Sequence, residues 1–185
     1  METLLVILFS LNLIALFALL AGIVWSVARP DKRIWPPPGK SSWQYKLAWI
    51  LFYQVFGLNT VIILLDWNSW IFLSPLRFLI GLPIALVGVS LLIWGIQHLG
   101  TINTSGISDR FVKTGPYRFT RNPQYLGDML LFLGLSILTN SLYLWITHIL
   151  LILVFAITPL AEEDWLGEQY SESYQTYLDG TSRFL

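Results

Sequence analysis

From Leu4 to Ala28 the chain carries no charged side chain. A helix that crosses the hydrocarbon core of a bilayer needs about 20 mostly apolar residues, and this run supplies them. Four further apolar stretches follow: Leu47 to Leu65, Leu76 to Ile96, Tyr125 to Leu138 and Leu142 to Leu160. In lipid a backbone must satisfy its own hydrogen bonds, so isolated apolar runs of this length become helices. The sequence therefore predicts an all-α, polytopic membrane protein of five transmembrane helices. "TNS", Thr139 to Ser141, is so thin a connector that the last two spans form a helical hairpin. "SVA" before Arg29 faintly resembles a signal-peptidase site, but no basic segment precedes it and the apolar run is too long, so it reads as an uncleaved span.

Composition agrees. The chain is 55% hydrophobic and 12% charged, with zero formal net charge; so few charges do not clothe a soluble globule. There is no basic stripe to attract nucleic acid. No cysteine is present, which excludes disulfides and thiol catalysis, and His98 and His148 lack ligand spacing, so no metal site is expected. The 185 residues make one integral-membrane domain.

Basic residues orient the spans. Arg29, Lys32, Arg33, Lys40 and Lys46 lie around the first connection, and Arg110, Lys113, Arg118 and Arg121 in the third. Five spans put both connections on the side of the C-terminus. The expectation is an N-terminus outside, a cytoplasmic C-terminus and, from the short connections, a bacterial inner membrane. The first connection contains Pro36, Pro37 and Pro38 before Gly39, which rules out continuous helix. It reads as a stiff strap, serving as a spacer in preference to lining a site.

The third connection, His98 to Gly127, is far longer than a reversal requires. Its glycines let backbone approach a ligand, and its arginines can hold carboxylates or phosphates. Pro123 suits the first turn of a helix, with Asn122 before it as a cap. Tyr125 and Asp128 then share one helical face. A carboxylate inside a span faces a partner or a wet cavity, so Asp128 either pairs with Arg121 or Arg118 or takes part in chemistry.

In the tail, Trp165, Leu166, Tyr170, Tyr174, Tyr177 and Leu178 recur at helical spacing, with Glu163, Glu168 and Glu172 between them. This predicts a cytoplasmic amphipathic helix. Glu162 and Glu163 leave the last span at the depth where Arg121 enters the one before it. Two carboxylates opposite a basic, glycine-bearing loop could hold a zwitterion.

"GPYRFTRNPQYLG" followed, after one helical hairpin, by "EEDWLGEQYSESYQTYLDGTSRFL" resembles the integral-membrane methyltransferases typified by isoprenylcysteine carboxyl methyltransferase, together with the phospholipid N-methyltransferases. The resemblance covers about the last half of the chain. It rests on Gly115-Pro116-Tyr117, on Arg121, Pro123, Tyr125 and Gly127, on Glu162, Glu163 and Leu166, and on the later tyrosines with Arg183-Phe184. Asn122 stands where histidine is usual, and Ser171 where glycine is common.

The resemblance implies S-adenosyl-L-methionine, held by Gly115, Pro116, Tyr117 and Arg118, by Asn122, Pro123, Tyr125 and Gly127, and by Glu162 and Glu163, the two glutamates on its ammonium. Residues 98–185 would form the cofactor loop, hairpin and C-terminal helix, and residues 1–97 the acceptor side. The reaction would be methylation of a lipophilic or membrane-borne carboxylate or amine at the cytoplasmic interface. Arg121, Asp128, Glu163 and Arg183 are the candidate catalytic groups. An amine acceptor requires a base, and Asp128, Glu163 or His98 could serve. Two other readings stay open: an NADPH-dependent reductase of the sterol reductase type, and a non-catalytic membrane scaffold that keeps the pocket.

Overall fold

The computed structural model describes residues 2–72 and 74–184, and among them there is no β-strand. Helix α1 is Glu2–Ala28, α2 Trp43–Leu65, α3 Leu76–Leu99, α4 the single turn Thr101–Thr104, α5 Pro123–Thr139 and α6 Leu142–Gly180. Four of them, α1, α2, α3 and α6, are long and apolar enough to cross a membrane. Their outer faces carry large apolar side chains such as Ile14, Leu64 and Leu79, which in water would be a liability and in lipid are simply solvated.

Two packing modes hold the bundle. The core cluster joins Ala15 and Leu16 of α1, Val55 of α2, Phe132 of α5, and Leu151 and Phe155 of α6. On the other side α3 lies antiparallel against α5 at very short range, because Gly81, Gly88 and Gly95 meet Gln124, Gly127 and Gly134. A β-carbon on Gly88 would sit 2.4 Å from the backbone nitrogen of Leu131 and 2.8 Å from the carbonyl oxygen of Gly127. Small residues let apolar helices gain contact where burial from water gives no drive.

The α5–α6 connection is as tight as the sequence predicts. Asn140 takes a left-handed conformation (φ 49°, ψ 50°) and Ser141 caps α6 by accepting from the Leu144 amide. The Asn140 carboxamide also accepts from the Phe72 amide at 3.0 Å and donates to Asn68 Oδ1 at 2.9 Å and to the Trp70 carbonyl at 3.1 Å. The α2–α3 connection is thereby tied to the hairpin.

The tail runs on from the last span. Pro159 lies within α6, which passes the end of its apolar stretch at Leu160 and continues to Gly180. A single break occurs at Ser171 (φ 47°, ψ −126°), a conformation that glycine adopts freely and an L side chain does not.

The proline strap is not a spacer. Ser26 Oγ accepts from the amides of Ile34 at 2.9 Å and Trp35 at 3.0 Å, which turns the strap back over α1. Trp35 and Pro37 then pack on Gly106, where a β-carbon would lie 2.6 Å from the indole. Pro36 is fully buried, after a cis Trp35–Pro36 bond.

Candidate functional site

The Arg121 end of α5 is clasped by the tail. The Arg121 amide donates to the Ser182 carbonyl at 3.0 Å, while Thr120 Oγ1 and Asn122 Nδ2 both donate to the Arg183 carbonyl at 3.0 Å. Asn122 is thus at the N-cap position, but its side chain ties down the tail and does not cap α5. Glu163 accepts from Arg121 Nη2 at 2.9 Å and from Arg183 Nε and Nη2 at 2.8 and 2.7 Å. The Arg183 guanidinium is held more firmly protonated by that hydrogen-bonded carboxylate. The opposition of Arg121 to the glutamates that the sequence predicts is present.

Glu162, beyond the apolar stretch of α6, is treated differently. Trp35 Nε1 donates to its Oε1 at 2.7 Å and the Tyr125 hydroxyl donates to the same oxygen. Among the described residues no donor reaches Oε2. Burial pushes the Glu162 carboxyl up to about 7, and the hydrogen bonds from Tyr125 and Trp35 offset part of that rise.

Arg121, Asn122, Tyr125, Glu162 and Glu163 line a narrow pocket with polar groups set among apolar and aromatic walls, between α5, α6 and the third connection. Asn103 organises its loop wall: its amide donates to the Arg110 carbonyl at 2.8 Å and its oxygen accepts from the Asp109 amide at 2.9 Å. Phe111 stacks on Tyr170 with centroids 5.0 Å apart, and the Tyr177 hydroxyl donates to the Tyr117 carbonyl. Among the described residues, the polar atoms of this pocket's lining that lack hydrogen-bond partners include Glu162 Oε2 and the buried Nε of Arg121. One is an anionic acceptor and the other a cationic donor.

A second, larger cavity of about 300 Å³ lies beside the first. Its walls are α1, the strap, α2 and the inner ends of α3, α5 and α6, and they are overwhelmingly apolar. Thr104, Gln124 and Tyr125 line both cavities, so the two adjoin through the first turn of α5. Asp128 belongs to this second cavity and pairs with neither Arg121 nor Arg118; among the described residues its carboxylate has no hydrogen-bond or ionic partner.

The expected site residues therefore divide. Tyr117, Arg121, Asn122, Tyr125, Glu162 and Glu163 line the polar pocket. Gly115, Pro116, Arg118, Pro123, Gly127 and Arg183 do not. Gly115 (φ 60°) turns the chain against the His98 ring, and Gly127 is spent on the contact with α3. Pro116 and Pro123 are buried structural residues, Arg118 is exposed over the Phe119 ring, and Arg183 faces Glu163 from outside the pocket. His98 lines neither cavity; its Nδ1 lies 3.0 Å from the Trp94 carbonyl. Glu163 has both oxygens engaged by arginines, so it orients Arg121 and does not present a free carboxylate. Sequence reasoning missed Trp35, Asn103 and Gln124. Only Trp35 left a signal, an indole beside a proline run that has no need of one as a spacer.

Apolar helices of spanning length around a polar pocket at one end define a multi-pass membrane protein. A family model for phospholipid methyltransferases matches residues 76–173, just over half of the chain, and the chain belongs to that family. Phosphatidylethanolamine N-methyltransferase B of Dictyostelium discoideum is 33% identical over 125 residues, which is 60% of this chain and 62% of the relative. The match thus spans less than two thirds of that relative's length. No solved structure matches the chain.

Proposed function

We propose that the chain is an S-adenosyl-L-methionine-dependent methyltransferase acting on a lipophilic, membrane-borne acceptor. The observation that carries this reading is the pair of adjoining cavities, one polar with two open poles and one apolar, joined at Thr104, Gln124 and Tyr125. Membership of the phospholipid methyltransferase family supports it.

The donor set suits the cofactor's amino-acid end, which carries an ammonium and a carboxylate. Glu162 Oε2 accepts from the ammonium, and Arg121 Nε donates to the carboxylate. Glu163 and Arg183 act at one remove: Glu163 fixes the Arg121 guanidinium, and Arg183 fixes Glu163. Asn122 ties the tail over the pocket, and Tyr117 lines the pocket wall. When bound, the cofactor supplies a methyl group on a sulfonium sulfur. The chain's contribution is alignment of the two reactants and exclusion of water, which converts a bimolecular encounter into a local one. Tyr125 and Gln124 stand at the junction where the reactants meet.

In this reading α5 is a short fifth crossing. Both basic connections and the C-terminus face the cytoplasm, and the N-terminus lies outside, in a bacterial inner membrane. Residues 98–185 form the cofactor half of one domain, and residues 1–97 contribute most of the acceptor wall.

Titration of the purified chain with S-adenosyl-L-methionine and, separately, with NADPH tests the proposal. Micromolar binding of the former, lost in Glu162→Gln, and release of S-adenosylhomocysteine with a lipid extract are expected. Preferential binding of NADPH would replace this reading with the reductase, and cofactor binding without turnover on any lipid fraction would leave a scaffold.

A further inference from the structure

Given the methyltransferase reading, on which this inference rests, the carboxylate that meets the cofactor's ammonium is held from outside the family match. That match begins at residue 76, and Trp35 belongs to the strap before it. Among the described residues three indoles have hydrogen-bond partners. Trp25 and Trp49 donate to the backbone carbonyls of Lys32 and Ser105, whereas Trp35 donates to the Glu162 carboxylate, at 2.7 Å. The strap is held down without that bond. The Trp35 amide donates to Ser26 Oγ, the ring lies on Gly106, and Pro36 behind it is buried.

A glutamate side chain has several rotatable bonds, and a ligand that must order them itself loses affinity. Here Trp35 Nε1 and the Tyr125 hydroxyl both donate to Oε1, which anchors the carboxylate and leaves Oε2 to the pocket. Both donors also line the apolar cavity, so the side chains that steady Glu162 form part of the acceptor wall. A donor on a carboxylate favours its ionised form, the form that an ammonium requires. The titratable and charged groups around Glu162 are Tyr125 on α5, Tyr117 in the third connection, and Glu163 and Tyr174 on α6. Arg121 is turned to Glu163, and Arg110 stands on the loop wall of the pocket. Of these groups Tyr125 alone donates to Glu162. Trp35 supplies the second donor, and an indole N–H is a donor only.

We propose that Trp35 is a positioning residue of the cofactor site, its indole N–H holding Glu162 Oε1 so that Oε2 receives the cofactor's ammonium. Trp35 acts through Glu162 and does not itself line the polar pocket. Without the N–H, the carboxylate loses an anchor at every pH and takes up its proton at a higher pH.

The test uses the full chain in detergent and two variants. Trp35→Phe keeps a ring on Gly106 and removes the donor; Ser26→Ala releases the strap amides and leaves the indole in place. Calorimetry with S-adenosyl-L-methionine is run across pH. Trp35→Phe is expected to bind ~10-fold more weakly at neutral pH and to move the pH midpoint of affinity up by at least ~0.5 unit. Ser26→Ala should shift both in the same direction, with a loss of ~3-fold. Infrared spectroscopy of the cofactor-free chain follows the carboxyl band that Glu162→Gln removes, and Trp35→Phe should raise its midpoint by the same amount. Where Trp35→Phe does not fold, Ser26→Ala carries the decision on the same two midpoints. Affinity and pH midpoint unchanged in Trp35→Phe overturn the proposal. So does a loss of affinity equal at every pH with an unmoved infrared midpoint, which is what loosened packing alone gives. A raised infrared midpoint in a chain that binds no S-adenosyl-L-methionine would instead sink the methyltransferase reading and leave the Trp35–Glu162 contact standing.

Discussion

Replacing Glu163 with glutamine perturbs the contact on which the pocket's shape depends. The carboxylate accepts three charge-assisted hydrogen bonds from two guanidiniums. Their environments differ: the Arg121 side chain is 12% exposed and that of Arg183 is 40% exposed. Breaking a buried ion pair by removing one partner costs about 3–5 kcal/mol, because the other charge is stranded, whereas an exposed pair is worth about 0–1 kcal/mol. Glu163→Gln strands Arg121 but keeps one acceptor oxygen, so about 2–3 kcal/mol is expected between these limits. Arg183→Ala leaves Glu163 paired with Arg121 and should cost about 1 kcal/mol. The place to read this is the amide of Arg121, which donates to the Ser182 carbonyl and is exposed only when the tail lifts. Hydrogen exchange there should accelerate by roughly 30- to 160-fold in Glu163→Gln and by about fivefold in Arg183→Ala. Amides within α6 near Val154, in the core of the bundle, should change little. The double variant should cost less than the sum of the two, since the second substitution removes a contact already lost. Strict additivity, or a larger effect from Arg183→Ala, would falsify the arrangement in which Glu163 is the hub.

Gly88→Ala puts a methyl among the backbone atoms of α5, so the helices must part; a loss of about 1–3 kcal/mol is expected, read as a lower midpoint in thermal unfolding. Ser171→Gly relieves the positive φ within α6 and should raise the same midpoint, by an amount corresponding to about 1 kcal/mol. Cofactor affinity should depend on pH through Glu162. Its carboxyl titrates at about 7 in the folded chain against an ordinary 4.5, so the stability that goes with this raised value is fully present below the ordinary value and is lost as pH rises through 7. An ammonium requires the ionised form, so calorimetric affinity should climb by up to about tenfold per pH unit below 7 and then level off. In Glu162→Gln affinity should fall and its slope with pH disappear.

Much of this is legible in the sequence where one segment carries the whole signal. The long apolar runs, the Thr139–Ser141 hairpin and the opposition of Arg121 to the glutamates need only local pattern and the rule that neighbouring spans reverse. Contacts between distant segments are less accessible. Gly81, Gly88 and Gly95 recur at sevenfold spacing, as do Gly127 and Gly134, but their meaning depends on which helix faces which. The strap reads as a spacer for the same reason. Prolines forbid helix, yet the path of the extended chain is set by Ser26, a side chain of α1 that looks like any small residue in a span. For Asp128, proximity in sequence suggests Arg118 or Arg121 as a partner. In the structure the guanidinium of Arg121 turns toward α6 while Asp128 faces the apolar cavity.

Helix length explains why the two cavities meet at all. Helix α5 has 17 residues, about 26 Å at the usual rise per residue, which is short of the roughly 30 Å hydrocarbon core. Its partner α6 travels from Leu142 to Glu162 before it reaches the level of Tyr125, to which Glu162 is hydrogen-bonded. With both helices starting from the same tight turn, the shorter one ends first, and the Arg-Asn-Pro turn is left inside the bundle. Polar groups at that depth face lipid-side apolar walls across a single helical turn. A longer α5 would return the turn to water, and Gln124 and Tyr125 would no longer belong to both cavities. The shortness that keeps α5 out of the set of spanning-length helices is thus what lets the Arg121 pocket open onto the apolar cavity.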